Sequence, residues 1–138
     1  MPIVIRLAKY CWAAPWSLLG AVLGCVAILL GADWRRAQGT FEIGGGLLGA
    51  LIRRLPPSLS FSAITFGHVI LGVDLPTLAH LRAHEQVHVR QYEHWGPAYV
   101  PAYILSSLLQ LMRGRHPYLD NHFEREAYAV SHPRAPQT

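Results

Sequence analysis

From residue 10 to residue 32 no side chain carries a formal charge, and residues 16–30 are Leu, Val, Ala, Ile and Gly almost throughout. A helix through this run is long enough to cross a hydrocarbon layer of about 30 Å, which takes about 20 apolar residues. Charged residues make up 14% of the 138-residue chain, well below the roughly 25% of ordinary water-soluble domains. Both features set part of the protein against lipid and disfavour a freely dissolved enzyme. Trp12, Trp16 and Trp34 flank the run as interfacial anchors do. Gly20 and Gly24 stand at the GxxxG spacing that lets a second helix approach, so self-association through this face is expected. Arg6 and Lys9 form a basic leader like that of a secretory signal. Leu30-Gly31-Ala32, however, lacks the small residue that a cleavage site places at its third-last position, so the segment reads as retained. Residues 1–35 are therefore expected to form a single-pass N-terminal membrane anchor. Arg35, Arg36, Arg53 and Arg54 outnumber Arg6 and Lys9, which tips the remainder toward the cytoplasm and leaves the side of the membrane open.

The net charge of +4 comes from basic residues scattered in pairs rather than gathered in a stripe. That pattern suits anionic lipid headgroups and argues against a nucleic-acid partner. Cys11 and Cys25 are the only cysteines and sit in apolar sequence, so neither a disulfide framework nor a cysteine zinc site is available.

Beyond the anchor, residues 40–43 alternate polar and apolar, and residues 59–71 (LSFSAITFGHVIL) are rich in β-branched and aromatic side chains; each reads as one strand. Between them, residues 47–52 form a short apolar turn of helix suited to a membrane surface. After Asp74 the hydrophobic period lengthens to that of a helix, with Pro76 in its first turn and Gly96-Pro97 as its stop. A second helix over residues 98–112 lies in a further uncharged stretch; its modest length and Pro101 favour a core helix over one dipping into the bilayer. A third helix begins near Asp120 or Asn121 and ends before Pro133, and residues 132–138 read as a tail.

The chemistry is concentrated on the first of these helices, at His84-Glu85-Gln86-Val87-His88. Imidazoles four residues apart project from one helical face and converge on a single tetrahedral ion, with the intervening glutamate beside it. Zinc so held lowers the pKa of a bound water to about 7, and the carboxylate takes up its proton. On a helical wheel Arg82, Gln86, Arg90 and Glu93 gather on one side, which reads as solvated. His80, His84, His88, Gln91 and Trp95 gather on the other, which reads as inward. An inward imidazole needs a partner, and a metal supplies one. His80 and Gln91 are expected to support the ligands rather than join them.

A third ligand must come from elsewhere, and Asn121-His122-Phe123-Glu124-Arg125-Glu126-Ala127-Tyr128 offers Glu124, Glu126 and His122. Asn121 with Glu124 three residues later also reads as a capping box, which would occupy Glu124 without a metal. Periodicity does not choose between the two glutamates, which lie on opposite sides of the core face set by Phe123, Ala127 and Val130.

His84-Glu85-x-x-His88 followed by Glu124-Arg125-Glu126-Ala127 resembles the zincin metallopeptidases, and more narrowly the gluzincins, in which a downstream ExxA glutamate completes the site. HExxHxxQ (His84 to Gln91) with the later N-x-F-E-x-E-A segment (Asn121 to Ala127) is also similar to small bacterial membrane-associated zincin relatives. The resemblance spans about residues 62–128. It implies that His84, His88 and Glu124 hold Zn²⁺, that Glu85 is the general base, and that the protein sits in a bacterial inner membrane. It implies as well a peptide substrate bound along an edge strand, for which the strand ending at Leu71 is suitably placed; His68 on that strand reads first as an ordinary packed histidine, the alternative being a part in the transition state. Tyr128 departs from the acidic residue that membrane gluzincins carry after the ExxA alanine, and it is expected to bond a ligand or an oxyanion.

The expectation is thus an α+β protein: an N-terminal transmembrane helix, then a small zincin-like domain over residues 36–131 with a short β-sheet and about three helices. The expected activity is zinc-dependent hydrolysis of a peptide bond in a peptide or protein substrate, membrane-proximal segments included. The alternative is a non-catalytic zinc-stabilised membrane interaction module, completed by a fourth ligand from His80 or His122.

Overall fold

The structure, a computed structural model, describes residues 2–132, so the expected tail beyond His132 lies outside the described residues. Helix α1 (Ile3–Leu29) leads into β1 (Asp33–Ala37) and β2 (Thr40–Gly44), followed by α2 (Gly46–Arg53), β3 (Ala63–Phe66) and β4 (Val69–Gly72). Three helices complete the chain: α3 (Leu75–Trp95), α4 (Tyr99–Met112) and α5 (His122–Ser131). The class is α+β, with one four-stranded sheet in the order β1-β2-β4-β3. β2 and β4 run parallel and the outer pairs are antiparallel, which leaves β3 as an edge.

Two hairpins correct the strand reading. The run expected as one strand folds back between Phe66 and Val69, because Gly67 at φ 59° takes the first position of a two-residue turn. β1, expected in part as the end of the anchor, pairs along its whole length with β2. It does so through Gln38 (φ 52°) and Gly39 (φ 79°), both on the positive-φ side that the tight I′ turn demands. The boundary expected after residue 35 therefore cuts through a strand.

Side-chain alternation gives the sheet two covered faces. Ile43, Val69 and Leu71 pack with Ala27 of α1, while Ile70 packs with Leu78 and Val89 of α3. A Cβ added at Gly20 would lie 2.8 Å from Phe66 Cβ and 2.9 Å from Val69 Cβ, and one at Gly24 would meet Ile43. The small-residue face expected to receive a second helix thus receives the chain's own sheet. Tyr10 Oη donates to the Gly39 carbonyl (2.6 Å), Trp12 Nε1 to that of His94 (3.2 Å) and Trp16 Nε1 to that of Pro97 (3.3 Å). So α1 is not a tether standing clear of a domain; it is one layer of it. Its outward face remains aliphatic, and it is a helix long and apolar enough to cross a membrane.

α3 is the central element. Asp74 caps it by accepting from the Thr77 amide (2.7 Å), and its middle turns from His84 to Val89 are buried all round. Part of the side expected to be solvated is packed on the sheet: Gln86 Nε2 donates to Thr40 Oγ1 (3.0 Å) and Arg82 pairs with Glu42, while Arg90 is exposed as expected. The Glu42 carboxylate is fully enclosed and accepts from Arg35 Nε (2.7 Å) and from Arg82 Nε (2.9 Å) and Nη2 (3.0 Å). Burial alone raises the pKa of Glu42, but the two guanidinium groups outweigh it and hold the carboxyl below its ordinary value. Arg35 Nη2 also donates to the Leu75 carbonyl (2.7 Å), so this clamp ties β1, β2 and the start of α3 together. At the ends of the stripe expected to face inward, His80 and Trp95 are exposed.

The core helix expected over residues 98–112 is not one. In α4 only Tyr99 and Gln110 are buried.

Candidate metal centre

α3 and α5 cross so that three donor atoms meet at one point. His84 Nε2 lies 3.0 Å from Glu124 Oε2, His88 Nε2 lies 3.2 Å from the same oxygen, and the two imidazole nitrogens are 3.2 Å apart. All three side chains are buried. Four-residue spacing places the imidazoles on one face of α3, as the sequence requires. Asn121 starts α5 by accepting from the Phe123 amide (2.9 Å) through Oδ1. Glu124 does not complete a capping box with it; the Glu124 carboxylate turns instead to the imidazoles. Glu126 is exposed and accepts from Gln91 Nε2 (3.2 Å), so of the two candidate glutamates only Glu124 joins the cluster. His122, like His80, is exposed and outside it.

The geometry fits a metal. A tetrahedral ion with bonds of about 2.0 Å separates its ligand atoms by about 3.3 Å. The observed separations of 3.0–3.2 Å are close to that. Three lone-pair donors buried together also need a cation or a shared proton between them. Without a metal, a proton is that cation. Burial lowers the pKa of His88, but the Glu124 carboxylate outweighs it and the net shift is upward. Burial raises the pKa of Glu124, but its bonds to His84, His88 and Tyr103 bring it down to about 2.

A second layer of contacts orients the donors. His88 Nδ1 is 2.8 Å from Gln91 Oε1, and Tyr99 Oη donates to that same oxygen (2.8 Å). With Nδ1–H directed at Gln91, His88 presents the Nε2 lone pair to the centre. Gln91 Nε2 donates to the Phe123 carbonyl (3.0 Å), so one glutamine links α3 and α5. Tyr103 Oη donates to Glu124 Oε1 (2.7 Å), leaving Oε2 for the cluster. Gln91 was legible from its place in the histidine stripe; Tyr99 and Tyr103, four apart on α4, were not, because nothing local marks them. Tyr128 makes no bond to Glu124. Its ring packs edge-on against His84 at 4.5 Å, and its hydroxyl lies 3.4 Å from that of Tyr118.

A cleft of about 680 Å³ opens onto the cluster, with the edge strand β3 among its walls and α4 opposite. Glu85 lines it beside the histidines, buried, with its Oε2 accepting from Thr65 Oγ1 of β3 (2.7 Å). His68 does not line it. That ring lies in the β3–β4 turn, stacked on Tyr10 at 4.0 Å, with Ser17 and Glu93 as polar neighbours. It is a packed residue, and burial sets its pKa below the ordinary value even with Glu93 opposing.

No family model, curated protein or solved structure matches this chain. Among the described residues, His84, His88 and Glu124 form a buried group able to hold a metal ion.

Proposed function

We propose that the protein is a membrane-associated zinc metallopeptidase, with α1 as its membrane element and peptide-bond hydrolysis in the cleft beside β3. The observation that carries this reading is the meeting of His84, His88 and Glu124 at tetrahedral spacing, with Glu85 on the wall of the same open cleft. Zinc held by the three residues would supply Lewis acidity, polarising a carbonyl and acidifying water. Thr65 holds the Glu85 carboxylate by a short bond, placing a buried base next to the cluster. Glu85 takes the proton of the attacking water and returns it to the leaving amide nitrogen. β3 is an edge strand, so an extended peptide can add to it through main-chain hydrogen bonds. Phe61, Ile64 and Phe66 carry the cleft on into an apolar groove of about 350 Å³ against α1 and α2, a seat for apolar side chains.

A purely structural zinc site uses four protein ligands, whereas three leave a position open. Three protein donors converge here, which supports the reactive form. The test is Glu85→Gln. The zinc-loaded variant should keep its metal and lose the ability to generate new N-termini in a synthetic peptide library read by mass spectrometry. Equal processing by wild type and variant would remove catalysis from the account.

A further inference from the structure

The polarity of α4 is inside out. Tyr103 reaches Glu124, Ser106 Oγ accepts from the His122 amide (3.0 Å), and Ser107 Oγ donates to the Pro117 carbonyl (2.9 Å) and accepts from Asn121 Nδ2 (2.8 Å). Tyr99 and Gln110 are buried. Every hydrogen-bonding side chain of the helix is thereby turned to the protein. The outward side is Ile104, Leu105, Leu108, Leu109, Leu111 and Met112, exposed by 53, 67, 51, 41, 55 and 85%. A helix bathed in water arranges these faces the other way round. A helix bathed in lipid keeps its polar groups inside and its aliphatic groups out.

Two further observations identify lipid as the occupant. No charged side chain interrupts residues 94–112, and Arg113 and Arg115 follow at once, both exposed, where anionic headgroups would meet them. The start of α4 is also continuous with α1: Ala13 and Trp16 share a core cluster with Tyr99, Val100 and Ala102. The 14 residues of α4 measure about 21 Å, too short to cross a bilayer but suited to lying in its interface.

We propose that α4 is a second membrane contact, its leucine face immersed in one anionic leaflet and Arg113 and Arg115 among the headgroups. Val100 and Tyr103 of α4 line the metal cleft, so the cleft opens at the lipid boundary, within reach of segments leaving the bilayer. The proposal rests on the membrane part of the function above and not on peptidase activity.

The test uses the full chain with Cys11→Ser and Cys25→Ser, reconstituted in vesicles of phosphatidylcholine and phosphatidylglycerol. An environment-sensitive dye is placed singly at Leu108→Cys, at Leu105→Cys, at Val22→Cys on the exposed face of α1, and at Arg90→Cys on the exposed side of α3; a wild-type circular-dichroism spectrum and melting temperature certify folding. Dyes at positions 108 and 105 should shift to the blue and be quenched by acyl-chain nitroxide as strongly as the dye at position 22, while the dye at position 90 does neither. Quenching of 105 and 108 by aqueous iodide, with 22 still quenched by lipid nitroxide, overturns the proposal and spares the membrane role of α1. A blue shift without lipid quenching means that protein covers the face, and overturns it too. If position 22 is also aqueous, the membrane reading fails together with it.

Discussion

Gly20→Ala and Gly24→Ala make a matched pair for asking whether α1 is a layer of the fold or a detachable anchor. Both exchanges add one methyl to the same helix, and in a free helix each should stabilise by up to about 1 kcal/mol. Against the sheet they differ. At Gly20 the new carbon would lie 2.8 Å from Phe66 Cβ, 2.9 Å from Val69 Cβ and 3.0 Å from the Phe66 carbonyl oxygen, all atoms fixed to the backbone. Relief requires α1 and the sheet to part, and overpacking of that kind costs about 1–3 kcal/mol. At Gly24 the nearest atom is Ile43 Cδ1, the far end of a side chain that can rotate. The net expectation is a loss of about 1 kcal/mol for Gly20→Ala and no loss for Gly24→Ala, or about 3–5 °C between their melting temperatures. Thermal unfolding in one detergent, with chelator present so that bound metal masks nothing, measures the difference. Equal shifts, or a more stable Gly20→Ala, would refute the packing of α1 on β3 and β4.

Two other outcomes follow from the centre itself. His88 has a raised pKa in the folded, metal-free protein, so its contribution is complete below about 6.5 and is lost as pH rises through the folded value. Glu124 is lowered to about 2, so its contribution is present above about 4.5 and fails only as pH falls through the folded value. In a His68→Asn background, which removes a buried imidazole whose lowered pKa works the other way, metal-free protein should therefore melt higher at about pH 5.5 than at about pH 8.5, while added zinc, which needs neutral imidazoles, stabilises more at the higher pH. A metal-free protein more stable in alkali contradicts the proton-sharing account. Thr65→Val removes the bond that holds Glu85 and should cut turnover in the proposed peptidase reaction by about 10- to 100-fold, the worth of one hydrogen bond to a charged group, with zinc content unchanged. Unaltered turnover would show that Glu85 needs no such support.

How much of this was legible in the sequence depends on the range of the interaction. Helix α3, its start near Asp74 and the His84–His88 pair follow from local spacing, and so does the place of Gln91 on the histidine face. The choice of Glu124 over Glu126 does not, because it turns on the angle at which α5 crosses α3. The solvated face expected on α3 holds at Arg90 and fails at Arg82 and Gln86 for a related reason. Arg82 and Gln86 look like surface residues until Glu42 and Thr40, on a strand some 40 positions earlier, cover them. The Gly67 turn was hidden inside an unbroken apolar run, since a positive-φ glycine leaves no mark on hydrophobic periodicity. α4 misled most. Its apolar face suggested a core, yet the polar side chains are the ones that meet the protein.

Metal content across four chains decides whether the two histidines and the glutamate hold an ion. By elemental analysis at neutral pH, wild type and Glu126→Gln should each carry one zinc per chain, and His84→Ala and Glu124→Gln should carry none. Zinc retained by Glu124→Gln, or absent from a folded wild type exposed to it, would contradict a centre built from the two histidines of α3 and the first glutamate of α5.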